Sequence, residues 1–248
     1  MGHEFETDNE ITVDATPEQV WEAIATGPGV DSWFMGRNEV QPGVGGVVRT
    51  DMGGFVMEST VTVWDPPNHL EYRGSEEADG TVMAFEFLIE GRAGGSTVVR
   101  LVHSGFLGGD DWESEYDALR KGDPMYLRTL GEYLTHFAGR TAAPITAFGP
   151  RQGDEEHVWE GLKRGLGLSG TVTEGDQVRF SLDAGAPVEG VVDSVLFPSF
   201  LGVRTSDGLY RFVGRNGEVA VGHHIFTPGV EREQAELAWQ NWLVQLYA

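Results

Sequence analysis

One phrase recurs in this chain, and the recurrence limits its fold more than any other feature. Thr16-Pro17-Glu18-Gln19-Val20-Trp21-Glu22-Ala23-Ile24-Ala25 opens with a threonine in N-cap position, a proline in the first turn and a glutamate beside it. The first amides of a helix need acceptors, which the threonine supplies, and proline has no amide to leave unpaired. Val20, Trp21 and Ile24 then fall on one stripe of a short helix, entered from the strand-like run Glu10-Ile11-Thr12-Val13. Ile145-Thr146-Ala147 followed by Glu156-His157-Val158-Trp159-Glu160-Gly161-Leu162 repeats that strand-then-helix order with a longer joint. The chain reads as two copies of one fold.

Between the copies of the phrase the pattern is that of an antiparallel meander. Thr26-Gly27-Pro28-Gly29 reads as a break, and Val30-Asp31-Ser32-Trp33-Phe34 as a second short helix. Gly45-Gly46-Val47-Val48-Arg49-Thr50 reads as a strand. Phe55, Met57, Val61 and Val63 line one face of the next, which turns at Asp65-Pro66-Pro67-Asn68. His69-Leu70-Glu71-Tyr72 resumes, Met83, Phe85, Phe87 and Ile89 share the face of a clear alternation, and Val99, Leu101 and His103 share the face of its partner. A long helix is expected from Asp123-Pro124 to Ala138, with Tyr126, Leu127, Leu130, Tyr133, Leu134 and Phe137 on its apolar stripe. It has only that sheet to pack on.

The second half keeps the order in fewer residues. Gly175 to Phe180 echoes Gly45 to Arg49, Val188 to Thr205 gives two strands joined around Phe197-Pro198-Ser199, and a hairpin turns at Asn216-Gly217. Ala235, Ala238, Trp239, Trp242, Leu243 and Leu246 stripe a closing helix. Domains are therefore expected over residues 1–139 and 142–248, with a linker at Gly139-Arg140-Thr141-Ala142-Ala143-Pro144. The fold class is α+β.

Charge and composition exclude several functions. Seventeen Lys and Arg face 39 Asp and Glu, a formal charge of −22. Such a field repels nucleic acid and anionic membranes, so neither is an expected partner. Acidic runs such as Glu76-Glu77-Ala78-Asp79 and Asp154-Glu155-Glu156 read as solvated loops or helix starts. There is no cysteine, hence no disulfide, thiolate metal site or cysteine nucleophile. Met1-Gly2-His3-Glu4 begins no signal region, and no apolar run approaches the roughly 20 residues of a membrane span, so a cytoplasmic protein is expected.

Residues spread over the first half resemble a known family. Ala15-Thr16-Pro17-Glu18-Gln19-Val20-Trp21, Trp33-Phe34, Asp65-Pro66-Pro67 with Leu70-Glu71-Tyr72, Thr97 with Leu101-Val102-His103-Ser104-Gly105-Phe106, and Gly131-Glu132-Tyr133-Leu134 together resemble the START, or SRPBCC, helix-grip superfamily. Within it they are similar to the branch of activators of the heat-shock chaperone ATPase. The second half keeps the helix with Trp159 but lacks the Trp-Phe pair, the Pro-Pro turn and a Ser-Gly after its histidine. The resemblance implies two tandem helix-grip domains, each a curved antiparallel sheet wrapped around a long C-terminal helix, with an apolar cavity between sheet and helix. Its members include lipid and polyketide carriers, polyketide cyclases, chaperone cofactors, and proteins of actinobacterial antibiotic clusters, enediyne clusters among them, that bind or detoxify the product.

The chemistry to be expected is sparse. Gly165-Leu166-Gly167-Leu168-Ser169-Gly170 matches a dinucleotide fingerprint, but a helix precedes it and a strand follows, the reverse of what that motif needs. His223-His224 point to opposite faces of a strand and cannot clamp one ion. No metal and no cofactor are expected. His103 and His223 each stand on the last strand of their half, facing the gripped helix; each is either a hydrogen-bonded structural histidine, a ligand-binding group that orients a carbonyl, or an acid or base, and no carboxylate can be assigned to orient it. Trp21, Trp33, Phe34, Phe55, Phe85, Phe87, Tyr126 and Tyr133, with Trp159, Phe212, Trp239 and Trp242 in the second half, either fill cores or line a cavity.

The function expected is binding of a hydrophobic, polyketide-type small molecule in a cavity within or between the domains, in natural-product biosynthesis or self-resistance. Two alternatives stand beside it: a cyclase or dehydratase using His103 or His223, and a chaperone-cofactor module. The reading leans away from an enzyme, and no residue argues for a protein partner.

Overall fold

A computed structural model describes residues 2–151, 155–182, 187–196, 199–215 and 217–247. Asp154, the Phe197-Pro198 turn and Asn216 of the expected hairpin lie outside the described residues. The chain forms two compact units, Met1–Thr141 and Ala142–Ala248.

The first unit runs β1 (His3–Val13), α1 (Pro17–Ala25), α2 (Gly27–Val30), β2 (Arg37–Val40), β3 (Val47–Asp51), β4 (Val56–Asp65), β5 (His69–Gly74), β6 (Val82–Gly91), β7 (Thr97–Leu107) and α3 (Trp112–His136). Its seven strands form one antiparallel sheet in the order β1-β7-β6-β5-β4-β3-β2. The first strand thus pairs with the last. The second unit runs β8 (Ala143–Phe148), α4 (Glu155–Gly165), β9 (Gln177–Phe180), β10 (Val188–Leu196), β11 (Phe200–Arg204), β12 (Gly208–Arg215), β13 (Glu218–Ile225) and α5 (Arg232–Leu246), with sheet order β8-β13-β12-β11-β10-β9. Strand for strand, among the described residues, this is the first order without a counterpart of β2. The architecture is α+β, two tandem helix-grip domains.

Local chemistry explains the shared opening. Thr16 accepts the Gln19 amide at 3.3 Å, and the Gln19 side chain accepts the Thr16 amide at 2.9 Å, closing a capping box with Pro17 in the first turn. Val20, Ala23 and Ile24 are buried beneath it. The expected break at Thr26 to Gly29 is instead α2 itself. Thr26 is a second N-cap, accepting the Gly29 amide at 3.0 Å; the helix expected over Val30 to Phe34 is not formed, since α2 ends at Val30 and a turn follows. Gly29 is required by contact, because a Cβ there would stand 2.1 Å from the Glu22 carbonyl oxygen.

Two further elements are longer than their sequence patterns suggest. β1 begins at His3 rather than Glu10, and Phe5, Thr7 and Val13 are buried along it. α3 begins at Trp112 and carries Pro124 in its interior, so Asp123-Pro124 is no start signal. A proline there lacks the amide that would bond the fourth carbonyl back. Contact with β1 holds the extra turns: Trp112 stacks on His3 with ring centroids 4.0 Å apart, and Tyr116 meets Phe5 edge-on.

In the second domain Gly165 to Gly170 ends α4. The Leu168 amide reaches back to the Lys163 carbonyl at 2.8 Å, and Gly167 takes φ +72°, the left-handed cap that glycine adopts freely. Among the described residues no helix is long and apolar enough to cross a membrane.

Candidate functional site

In the first domain the helix-facing side of the sheet and α3 enclose a gap of about 20 Å³, room for the centre of one water-sized molecule. α1 contributes Ile24 to its wall, and the α2 end and following turn give Val30, Trp33 and Phe34. The strands contribute Tyr72, Phe85, Phe87 and Leu101, and α3 closes it with Asp123 and Tyr126. The rings touch one another: Phe34 and Tyr126 lie 4.6 Å apart, Tyr72 and Phe85 5.3 Å, Trp33 and Phe34 5.4 Å. Trp33 is fixed from behind, its indole N–H donating to the Ala23 carbonyl at 2.9 Å. Pockets that hold drug-sized ligands enclose roughly 300–1,000 Å³. The apolar cavity expected between sheet and helix is thus reduced here to a gap far smaller than such a pocket, because the aromatic side chains meant to line it pack on one another.

One polar cluster stands in this apolar wall. Asp123 accepts a short hydrogen bond from the Thr7 hydroxyl, and its Oδ1 lies 3.1 Å from His103 Nδ1. All three side chains are buried, His103 at 1 % exposure. A carboxylate can only accept, so Nδ1 carries the proton and Nε2 of a neutral ring presents a lone pair. Nε2 has no hydrogen-bond partner. Phe85, which lines the gap, lies flat against the imidazole with ring centroids 4.0 Å apart. Burial, then the Asp123 charge, push the Tyr72 and Tyr126 phenols well above their ordinary value. Both stay hydroxyl donors across the physiological range.

The second domain treats its equivalent histidine differently. His223 Nδ1 accepts the Arg211 backbone amide at 2.9 Å, which puts the ring proton on Nε2. Burial, with the neighbouring His224 and Arg211 charges, holds its pKa well below 6.5. Trp239 meets the ring edge-on at 4.1 Å, and Phe212 lies 5.2 Å away. Trp239 also packs on Phe180, Tyr210, Phe212 and Trp242 at 5.3–5.9 Å. Trp159, Phe212, Trp239 and Trp242 thus belong to one core cluster.

Of the first-domain candidates, Trp33, Phe34, Phe85, Phe87 and Tyr126 come together on the gap, and His103 stacks on Phe85 without lining it. Trp21 does not reach it; it packs edge-on against Trp64 at 5.1 Å. Tyr133 points away, its hydroxyl donating to the Arg140 carbonyl at 3.1 Å. Phe55 is 53 % exposed, because it precedes β4 in the turn after β3 and never enters the sheet.

Asp123, Thr7 and Tyr72 are the polar site residues that sequence reasoning left out, with Ile24, Val30 and Leu101 of the apolar wall. Asp123 had a readable signal. Trp112, Tyr116, Leu119, Asp123, Leu127, Leu130 and Leu134 follow each other at steps of three and four, so Asp123 occupies a position on the apolar stripe of α3. Thr7 alternates with Phe5 on the buried side of β1.

Comparison with known proteins places the first domain. No curated protein matches the chain in sequence. Protein MLL2253 from Mesorhizobium loti is 22 % identical over 52 % of this chain and 96 % of its own, with a TM-score of 0.47. The Aha1 dimer from Colwellia psychrerythraea is 19 % identical over 52 % of this chain and 96 % of its own, TM-score 0.45. DynU16, a protein of the dynemicin biosynthetic locus, is 17 % identical over 97 % of this chain and 95 % of its own, TM-score 0.47. Residues 14–135 match the family described as activator of Hsp90 ATPase homolog 1-like protein. The match spans most of the first domain and agrees with the branch of the helix-grip superfamily that its residues resemble.

Proposed function

We propose that the first domain binds a flat, largely apolar small molecule of the polyketide type between its sheet and α3. The observation that carries this reading is the buried Thr7–Asp123–His103 cluster beside an aromatic gap. A polar cluster in an apolar wall costs stability unless every partner is satisfied. His103 Nε2 is left without one, as is His223 Nε2 in the second-domain core, so what sets the first cluster apart is the gap beside it. A guest with carbonyl or phenol oxygens would stack on Phe34, Phe85 and Tyr126 and take hydrogen bonds from the two tyrosines.

Entry requires the gap to widen, and α3 is built to allow it. From Trp112 to Gly122 the helix has no buried residue, whereas Asp123, Met125, Leu127, Leu130 and Leu134 beyond it are buried. Pro124 breaks the hydrogen-bond ladder at the boundary. The first half, held to β1 chiefly by the rings of Trp112 and Tyr116, would swing once those contacts part while the second stays docked.

A second reading rests on the same histidine. With Nδ1 held by a carboxylate and Nε2 open, His103 has the base-and-orienter arrangement of acid–base catalysis. His103 does not itself line the gap, whereas Phe85 stacked on it does, so the binding reading is preferred. Titration of the full chain with 1,4-dihydroxyanthraquinone distinguishes them. Binding that weakens at least about tenfold in Phe34→Ala and persists in Phe55→Ala supports the site; equal affinity in all three chains overturns it. Turnover of a poly-β-ketone substrate that His103→Ala abolishes, with binding retained, would favour catalysis.

A further inference from the structure

On the face of the first sheet that carries Arg100 and Glu86, three side chains converge that the gap does not use. Glu71 on β5 and Glu86 on β6 are directly paired across the ladder, and His69 lies two residues before Glu71 on the same face. One ligand atom from each, an imidazole nitrogen and two carboxylate oxygens, lies within 4.8 Å of the others. All three residues are half-buried.

The two carboxylates favour a positive charge beside them. Two carboxylates directly opposite on neighbouring antiparallel strands repel. Arg100 lies close enough to Glu86 to feel its charge, but its guanidinium is engaged by Asp8. His69 Nε2 stands 2.9 Å from Glu86 Oε1, yet the two are out of line for a hydrogen bond and the nitrogen has no hydrogen-bond partner. Two atoms that close without a bond between them match adjacent ligands of one metal. With metal–ligand distances of about 2.1 Å, neighbouring ligand atoms lie about 3–3.4 Å apart.

From this we infer that His69, Glu71 and Glu86 form a surface site for a divalent transition metal, zinc in the first place. One imidazole and two carboxylates suit zinc or manganese better than calcium or magnesium, which favour all-oxygen shells. Water completes the coordination. The site lies on strands whose other face carries Tyr72, Phe85 and Phe87, so an ion there would clamp β5 to β6 behind the gap.

The test uses the full chain stripped of metal by chelation and titrated calorimetrically with zinc chloride near pH 7.5 in moderate salt. The expected result is one saturable site per chain that weakens at least about tenfold in His69→Ala and in the near-isosteric Glu86→Gln. Glu76→Gln with Glu77→Gln, which lowers the negative charge elsewhere, should leave it unchanged. Cobalt substituted for zinc should give a visible absorption band that His69→Ala removes. Absence of a saturable site in the wild-type chain, or equal loss in the Glu76/Glu77 control, overturns the inference. Should His69→Ala perturb the sheet, Glu86→Gln gives the decision alone.

Discussion

Asp123 holds two donors inside an apolar wall, and its replacement by asparagine leaves the shape while removing the charge that both donors face. Hydrogen bonds to a charged acceptor contribute about 1.5–3 kcal/mol each. Asp123→Asn should therefore destabilise the first domain by roughly 2 kcal/mol in urea denaturation; an unchanged midpoint would mean the cluster is not held as described. His223 carries the opposite kind of prediction. An unfolded imidazole takes its proton near 6.5, whereas folded His223 stays neutral well below that. The unfolded chain therefore binds the extra proton first, and stability falls as pH drops below 6.5, by up to about 1.4 kcal/mol per unit. His223→Gln should flatten that slope in thermal unfolding between pH 7.5 and 5.5, and an identical slope in the variant would refute the assignment. Histidine position was legible in the alternation of β7 and β13. The difference between the two rings was not, because it depends on one carboxylate from α3 in one domain and one backbone amide of β12 in the other.

At the scale of elements, α3 decides whether the gap can open. Pro124→Ala restores an amide and removes the ring clash, so it should stabilise the first domain by at least about 1 kcal/mol. It should also slow hydrogen exchange of the amides at 113–122 relative to those at 127–134. Exchange equally slow in both halves of the wild-type helix would show that the first half does not open. The full length of α3 escaped the sequence reading because Asp123-Pro124 has the form of a helix start. The apolar spacing back to Trp112 carried the contrary signal, and packing on β1 prevailed over the local one. α2 was hidden in the same way, since Thr26 to Gly29 has both the glycines of a break and the N-cap and proline of a helix. The His69, Glu71 and Glu86 trio was beyond sequence reading for another reason: it exists only through the register of β5 against β6.

Across the whole molecule, the repeated order of strands and helices was legible because alternation and capping are local and survive in each copy. What the two copies do with their interiors was not, because a filled core and a lined gap use the same aromatic residues. Trp239 surrounded by five rings and Phe34 beside an empty space are indistinguishable as letters in a sequence. The central claim is that the first domain, through its aromatic gap, takes up a guest. The most direct measurement follows the backbone amides and the Trp33 indole N–H of the ¹⁵N-labelled full chain during titration with 1,4-dihydroxyanthraquinone. The account predicts saturable shifts at Trp33, Phe34, Phe85, Asp123 and Tyr126, with Trp239 and Trp242 unmoved. Saturable shifts confined to the second domain, or none at Trp33 and Tyr126 while the compound binds, would contradict it.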